Sequence, residues 1–303
     1  LAGFPATRLT RTSIRANLTD PALQARSLID LYRRAKPDIL FCMMDLTIEA
    51  EALGAPVRMP EDDNPAVSSH LVKNAADLDL LKAPASPAGR MGVFLETLRL
   101  LKRGAVPAVG AYVIGPFTLA SEFLGAENAA LMTITQPGLV KELLEMAVNA
   151  IIMYANAQKD AGADLTVILE PDSMYLSAGK FREFSAPYVG RIIKALDVPA
   201  ALHICGDSSH LIKDMAATGA AGLSLDADVD LVWAIGQVPP EVIVIGNISP
   251  NLMLEGDEKE ISSACGRLLD AMKPFSNFIL SSGCDLPVDT PLGNIVAMVS
   301  SVR

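Results

Sequence analysis

Seven short apolar runs punctuate the chain: PDILFCMM, PAVGAYVIG, ADLTVILE, PAALHIC, AGLSLDA, EVIVIGN and NFILSSG. Between them lie stretches with helical periodicity, such as GLVKELLEMAVNAIIMYANAQKDAG, FREFSAPYVGRIIKAL and EISSACGRLLDAMK. A strand that is apolar throughout needs cover on both faces, and a parallel sheet wrapped by helices supplies it. From Ala163 onward the runs recur with the spacing of βα units. The pattern predicts a (β/α)8 TIM barrel, one α/β domain over residues 1–303. An open doubly wound sheet is the competing architecture, and the lack of a Gly-rich dinucleotide fingerprint after the first strand weighs against it. Seven runs leave one strand to find, and either RTSIRAN or the stretch from Pro56 to Met91 is expected to supply it. Residues 54–90, long, polar and proline-rich, read as an excursion over one end of the barrel. The LKRG stretch, Leu101 to Gly104, reads as a helix end whose basic residues suit the helix dipole.

Charge and cysteine usage exclude several function classes. The net charge of −10 argues against a nucleic-acid partner. No apolar stretch is long enough to span a bilayer and no signal peptide is visible, so a membrane role is not expected. Leu1 as first residue is compatible with a short N-terminal piece lying outside the chain. Four cysteines are too few for a disulfide scaffold in a chain this long, which points to reduced thiols or a metal site and to the cytoplasm.

The unusual residues fall where the apolar runs end. TVILEPDS delivers Glu170 and Asp172, LHICG delivers His203 and Cys205, and LSLDAD delivers Asp226. VIGNISP delivers Asn247, and SSGCD delivers Cys284 and Asp285. In a barrel these C-terminal strand ends converge on one face, where active sites sit. Residues two apart on a strand share a face, so His203 and Cys205 point the same way and Cys284 can join them. Two thiolates and an imidazole suit Zn²⁺ and leave a fourth position open. By spacing alone a His-x-Cys pair is more often core packing than a metal site, because cysteine is among the most buried residue types. Cys42 and Cys265 sit in apolar periodic contexts and are assigned to the core, whereas His70 and His210 read as solvated.

HICG, IKDMAATGAAGLSLD, IGNISP and SSGCDLPVDTPLGNIVAMV together resemble the cobamide:coenzyme M methyltransferases of the uroporphyrinogen decarboxylase superfamily. MMDLTIEAEALG, IGPFTLASEFLG, GADLTVILEPDSMYLS and FREFSAPYV extend the resemblance from about Asp38 to Val302. It implies a barrel whose catalytic zinc is held by His203, Cys205 and Cys284. That zinc would activate a small thiol such as coenzyme M to take a methyl group from methylcobalamin, a corrinoid carried on a corrinoid-binding protein. Asp226 and Glu170 become candidates for an exchangeable fourth ligand or a hydrogen-bond acceptor behind the metal. Tyr112 and Asn247 are candidates for the corrinoid surface, with Phe117 and Met174 as further lining. Asp45 matches the aspartate that cradles the tetrapyrrole in true decarboxylases, although their N-terminal signature around RQAGR has no counterpart here. Gly293 stands in TPLGN where the methyltransferases often carry Glu, which leaves the acceptor open between a thiol and tetrahydrofolate. Decarboxylation of a tetrapyrrole is the alternative reaction.

Overall fold

The computed structural model describes residues 3–303. In chain order its strands are β1 (Leu40–Phe41), β2 (Val57–Arg58), β3 (Ala66–Val67), β4 (Val109–Ile114), β5 (Leu165–Leu169), β6 (Ala200–Ile204), β7 (Gly222–Leu225), β8 (Ile243–Ile248) and β9 (Phe278–Ser282). The strands other than β2 and β3 lie side by side, all parallel, in the order β1-β4-β5-β6-β7-β8-β9. The sheet curls with helices outside it, around an interior lined by Tyr112, Val167, Leu169 and Ala201. This is the expected barrel architecture in a single domain, with all seven apolar runs as strands.

The expected eighth strand is not in either of the two places the sequence offered. RTSIRAN forms a helix, Ile14–Thr19, because Ser13 caps it by accepting from the Ala16 amide at 3.1 Å. Within residues 56–91, β2 and β3 pair only with each other, as a short antiparallel ribbon. Among the described residues the sheet therefore has seven strands, and β1 and β9 are its edges. An apolar cavity of about 380 Å³ lies inside the barrel, lined from Phe41 through Val167, Ala201 and Ile245 round to Ile279, and it reaches His203.

Two details position the site. Residues 54–90 are anchored at their far end by Arg90, which pairs with Asp45 just beyond β1. FREFSAPYVGRIIKAL, read as one helix, is two: Ala178–Phe184 and Ala186–Lys194. Pro187 lacks the amide hydrogen that a continuous helix needs, so the chain breaks at Ser185. The break frees the Ser185 hydroxyl to reach Glu170 at 2.8 Å. The Met91–Arg103 helix ends at Lys102 and Arg103 as expected, and Lys102 pairs with Asp164 at 2.9 Å.

Candidate metal centre and barrel mouth

β6 ends at Ile204 and β9 at Ser282, so the residues that follow emerge on the same end of the barrel. His203 Nε2 lies 3.1 Å from Cys205 Sγ, which lies 3.5 Å from Cys284 Sγ. The three ligand atoms fall within 4.8 Å of one another, with the histidine buried and the two cysteines half-buried. The sulfurs thus form the open side of the cluster.

His203 Nδ1 sits 3.0 Å from the Ser224 carbonyl, so its proton belongs there. That tautomer leaves the Nε2 lone pair directed at the thiols. The two thiols share one proton. The hydrogen bond from the Cys205 thiol lowers the pKa of Cys284. The same hydrogen bond, reinforced by burial, pushes Cys205 up. Only a cation between the sulfurs lets both ionise near neutral pH. Zn–S bonds of ~2.3 Å at tetrahedral angles separate two sulfurs by ~3.8 Å. The observed 3.5 Å between the sulfurs and the soft S₂N donor set suit such an ion.

Asp226 stitches the two thiol-bearing loops together. Its Oδ2 accepts from the Gly206 amide at 2.8 Å and its Oδ1 from the Ala227 amide at 2.6 Å. The backbone of Gly283 packs directly against it: a Cβ there would lie 2.6 Å from the Ala227 nitrogen and 2.9 Å from Asp226 Oδ1. Glycine at 283 is thus a requirement of close approach. Asn247 spends both amide hydrogens on this turn, donating to the Asp226 and Val229 carbonyls at 2.8 and 2.7 Å.

Glu170 lies outside the thiol cluster. It is fully buried and accepts from the amides of Phe117 and Thr118, both at 2.9 Å, besides Ser185. Both oxygens therefore serve the N-terminus of the Pro116–Leu124 helix. Gly115 makes this possible, since a Cβ there would collide with the Glu170 carboxylate. Burial outweighs these hydrogen bonds and pushes the Glu170 carboxyl up to about 7.

Asp45 is likewise withdrawn. Its side chain is fully buried, accepts from the Thr47 amide and hydroxyl at 2.8 and 2.7 Å, and is clamped by Arg90. Tyr112 lies inside the barrel, stacked on Phe41 with ring centroids 5.0 Å apart. Phe117 is core, fully buried, and does not line the mouth. Met174 packs its sulfur over Gly206, beside the Cys205 loop. Cys42 and Cys265 are buried as expected, and burial pushes the Cys42 thiol up to about 12. His70 contacts the Glu122 carbonyl at 2.9 Å, and His210 the Leu176 carbonyl at 3.1 Å.

Four participants escape a reading of the sequence: Ser224, Ser185, Arg90 and Gly283. Ser224 left a signal, as the lone polar residue inside the apolar run AGLSLDA. The other three act through long-range contacts that no local pattern announces.

Polar side chains gathered at the C-terminal mouth of a parallel barrel define an enzyme site. The chain belongs to the uroporphyrinogen decarboxylase (URO-D) family, whose model matches residues 4–303. It is 34% identical over 269 residues to the methylcobamide:CoM methyltransferase MtbA of Methanosarcina mazei, covering 86% of this chain and 77% of that protein. A uroporphyrinogen decarboxylase of Alkalilimnicola ehrlichii is 28% identical over 299 residues, covering 93% of this chain and 80% of that one. A solved methyltransferase structure from Methanosarcina mazei shares the fold, with a TM-score of 0.92 at 24% identity over 99% of this chain and 90% of that chain.

Proposed function

We propose that the chain is a zinc-dependent corrinoid methyltransferase that moves a methyl group from a methylated corrinoid, carried on a partner protein, to a small thiol. The observation that carries this reading is the cluster of His203, Cys205 and Cys284, two of them 79 residues apart, opening its sulfur side to the mouth. Zinc held by these residues would supply a thiolate at neutral pH from a thiol that is otherwise mostly protonated. The chain's own residues do the positioning. His203, fixed through Nδ1, offers Nε2 to the ion, and Asp226 with Asn247 holds the turn that braces both thiol loops. In the transfer, the acceptor loses its S–H proton and an S–CH₃ bond forms. The Co–CH₃ bond breaks with its electron pair left on cobalt, which passes from Co(III) to Co(I). The soft donor set favours a sulfur acceptor over tetrahydrofolate. Free thiols at the site require a reducing compartment, which supports a cytoplasmic setting. No helix among the described residues is long and apolar enough to cross a membrane.

Decarboxylation fits less well, because the carboxylate that would hold a tetrapyrrole, Asp45, is buried and clamped by Arg90. The test is to incubate zinc-loaded protein with methylcobalamin and a panel of thiols, following methylcobalamin absorbance and thioether formation, with uroporphyrinogen in parallel. Thioether formation that requires the zinc supports the reading. Porphyrinogen decarboxylation without methyl transfer, or zinc binding without turnover on any thiol, overturns it.

A further inference from the structure

The two sulfurs that suit a metal ion are also close enough to bond to each other. Cys205 Sγ and Cys284 Sγ stand 3.5 Å apart, although 79 residues of chain separate them. A disulfide places its sulfurs ~2.05 Å apart, so closure asks for an approach of about 1.5 Å, within the sweep of side-chain rotation. Protein contacts alone hold the pair in this position. Asp226 accepts from the Gly206 amide at 2.8 Å, next to Cys205, and the backbone of Gly283, next to Cys284, packs on the same carboxylate. Access selects the same two residues. Cys205 and Cys284 are half-buried at the mouth, whereas Cys42 and Cys265 are buried and closed to an oxidant in solution.

We propose that Cys205 and Cys284 form a reversible disulfide that switches the site off, the bond and a zinc ion being alternative uses of the same two sulfurs. As a control on methyl transfer the switch rests on the proposed function; the disulfide itself rests on the geometry. With hydrogen peroxide as oxidant, one thiolate attacks a peroxide oxygen, the O–O bond breaks, and a sulfenic acid and hydroxide result. The neighbouring thiol then attacks the sulfenic sulfur, the S–S bond forms and water leaves. Two thiol protons and two electrons pass to one peroxide, which ends as two waters. Both sulfur ligands are consumed, and His203 alone does not hold the ion. A zinc-bound thiolate has its reactive lone pair committed to the metal, so the loaded site oxidises more slowly than the empty one. The bond lies at the open mouth, where a small dithiol reverses it by exchange.

The test treats metal-free and zinc-loaded protein with one equivalent of hydrogen peroxide, counts free thiols after unfolding, and maps peptides digested without reduction. In metal-free protein the four free thiols should fall to two, with Cys205 and Cys284 in one linked peptide. Zinc loading should slow the loss by roughly tenfold or more. Dithiothreitol should restore four thiols and stoichiometric zinc binding together. Met174, 36% exposed beside Gly206, gains an oxygen if peroxide attacks it and leaves the thiol count unchanged, so the two events read separately. The double variant Cys42→Ala with Cys265→Ala should give the same linked peptide, and the map of the wild-type chain decides alone if that variant folds poorly. Sulfinic acids in place of a bond, a bond to Cys42 or Cys265, or an oxidised protein that still binds zinc overturns the switch. Thiol methylation by reduced protein that forms no disulfide removes the switch and leaves the proposed function standing. A disulfide that forms and excludes zinc, in a protein that methylates no thiol when reduced, does the reverse.

Discussion

Glu170→Gln isolates a single buried carboxyl whose charge state the fold controls. The wild-type group has its pKa raised from 4.5 to about 7, with burial exceeding the effect of its hydrogen bonds to Phe117, Thr118 and Ser185. Each pKa unit corresponds to ~1.4 kcal/mol, so ionised Glu170 costs the native state about 3 kcal/mol relative to its neutral form. The sign follows from proton counts. Between pH 4.5 and 7 the folded chain holds a proton that the unfolded chain has released, so wild-type stability falls as pH rises through this window. Below the window the group is neutral in both states, and above it the cost is constant. Glutamine cannot ionise. Its one oxygen can accept from only one of the two backbone amides, and stranding the other costs ~1–3 kcal/mol at every pH. The variant should therefore be less stable than wild type by ~1–3 kcal/mol at pH 5 and close to it at pH 8. Urea unfolding of both proteins, metal-free, at intervals from pH 5 to 8 gives the difference curve, in which all other titrating groups cancel. A deficit that stays constant, or that grows with pH, would show that the helix amides and Ser185 outweigh burial, and the reasoning would be refuted.

Other perturbations test the site itself. Cys205→Ser and Cys284→Ser should each abolish stoichiometric zinc binding by elemental analysis and stop thiol methylation. Cys42→Ala and Cys265→Ala should keep both and lose only ~1 kcal/mol of stability, and loss of zinc in either would mean that other thiols hold the ion. Gly283→Ala places a Cβ 2.6 Å from the Ala227 backbone nitrogen and should weaken zinc binding at least tenfold by chelator competition. Unchanged affinity would show that the Asp226 brace does not set the thiol geometry. Asn247→Ala removes two hydrogen bonds of 2.8 and 2.7 Å and should lower unfolding stability by ~1–3 kcal/mol, measured in urea.

Much of this architecture was legible in the chain because strand burial and helical periodicity are local signals. The convergence of His203, Cys205 and Cys284 followed from one topological rule, that the strands of a parallel barrel all end on one face. The misreadings share a physical cause. Ser13 turned a plausible strand into a capped helix, and Pro187 split a helix whose periodicity ran straight through it. Glu170 and Asp45 looked available for chemistry because a sequence shows a carboxylate but not its partners. Those partners are backbone amides 53 and 52 residues earlier for Glu170, and an arginine 45 residues later for Asp45. Asn247, expected at the corrinoid surface, spends both side-chain amide hydrogens on the Asp226 and Val229 carbonyls, contacts that a sequence does not display either.

The central claim is that the His203–Cys205–Cys284 site ionises an acceptor thiol. A free thiol has a pKa near 8.5, so at neutral pH only a few per cent is nucleophilic. Binding as thiolate must then expel its proton. Calorimetric titration of zinc-loaded protein with thiol, in buffers of different ionisation enthalpy at pH 7, measures that proton directly. Release of close to one proton per site, absent in zinc-free protein, is the result the account predicts. Thiol binding to the zinc-loaded protein with no proton released would contradict it.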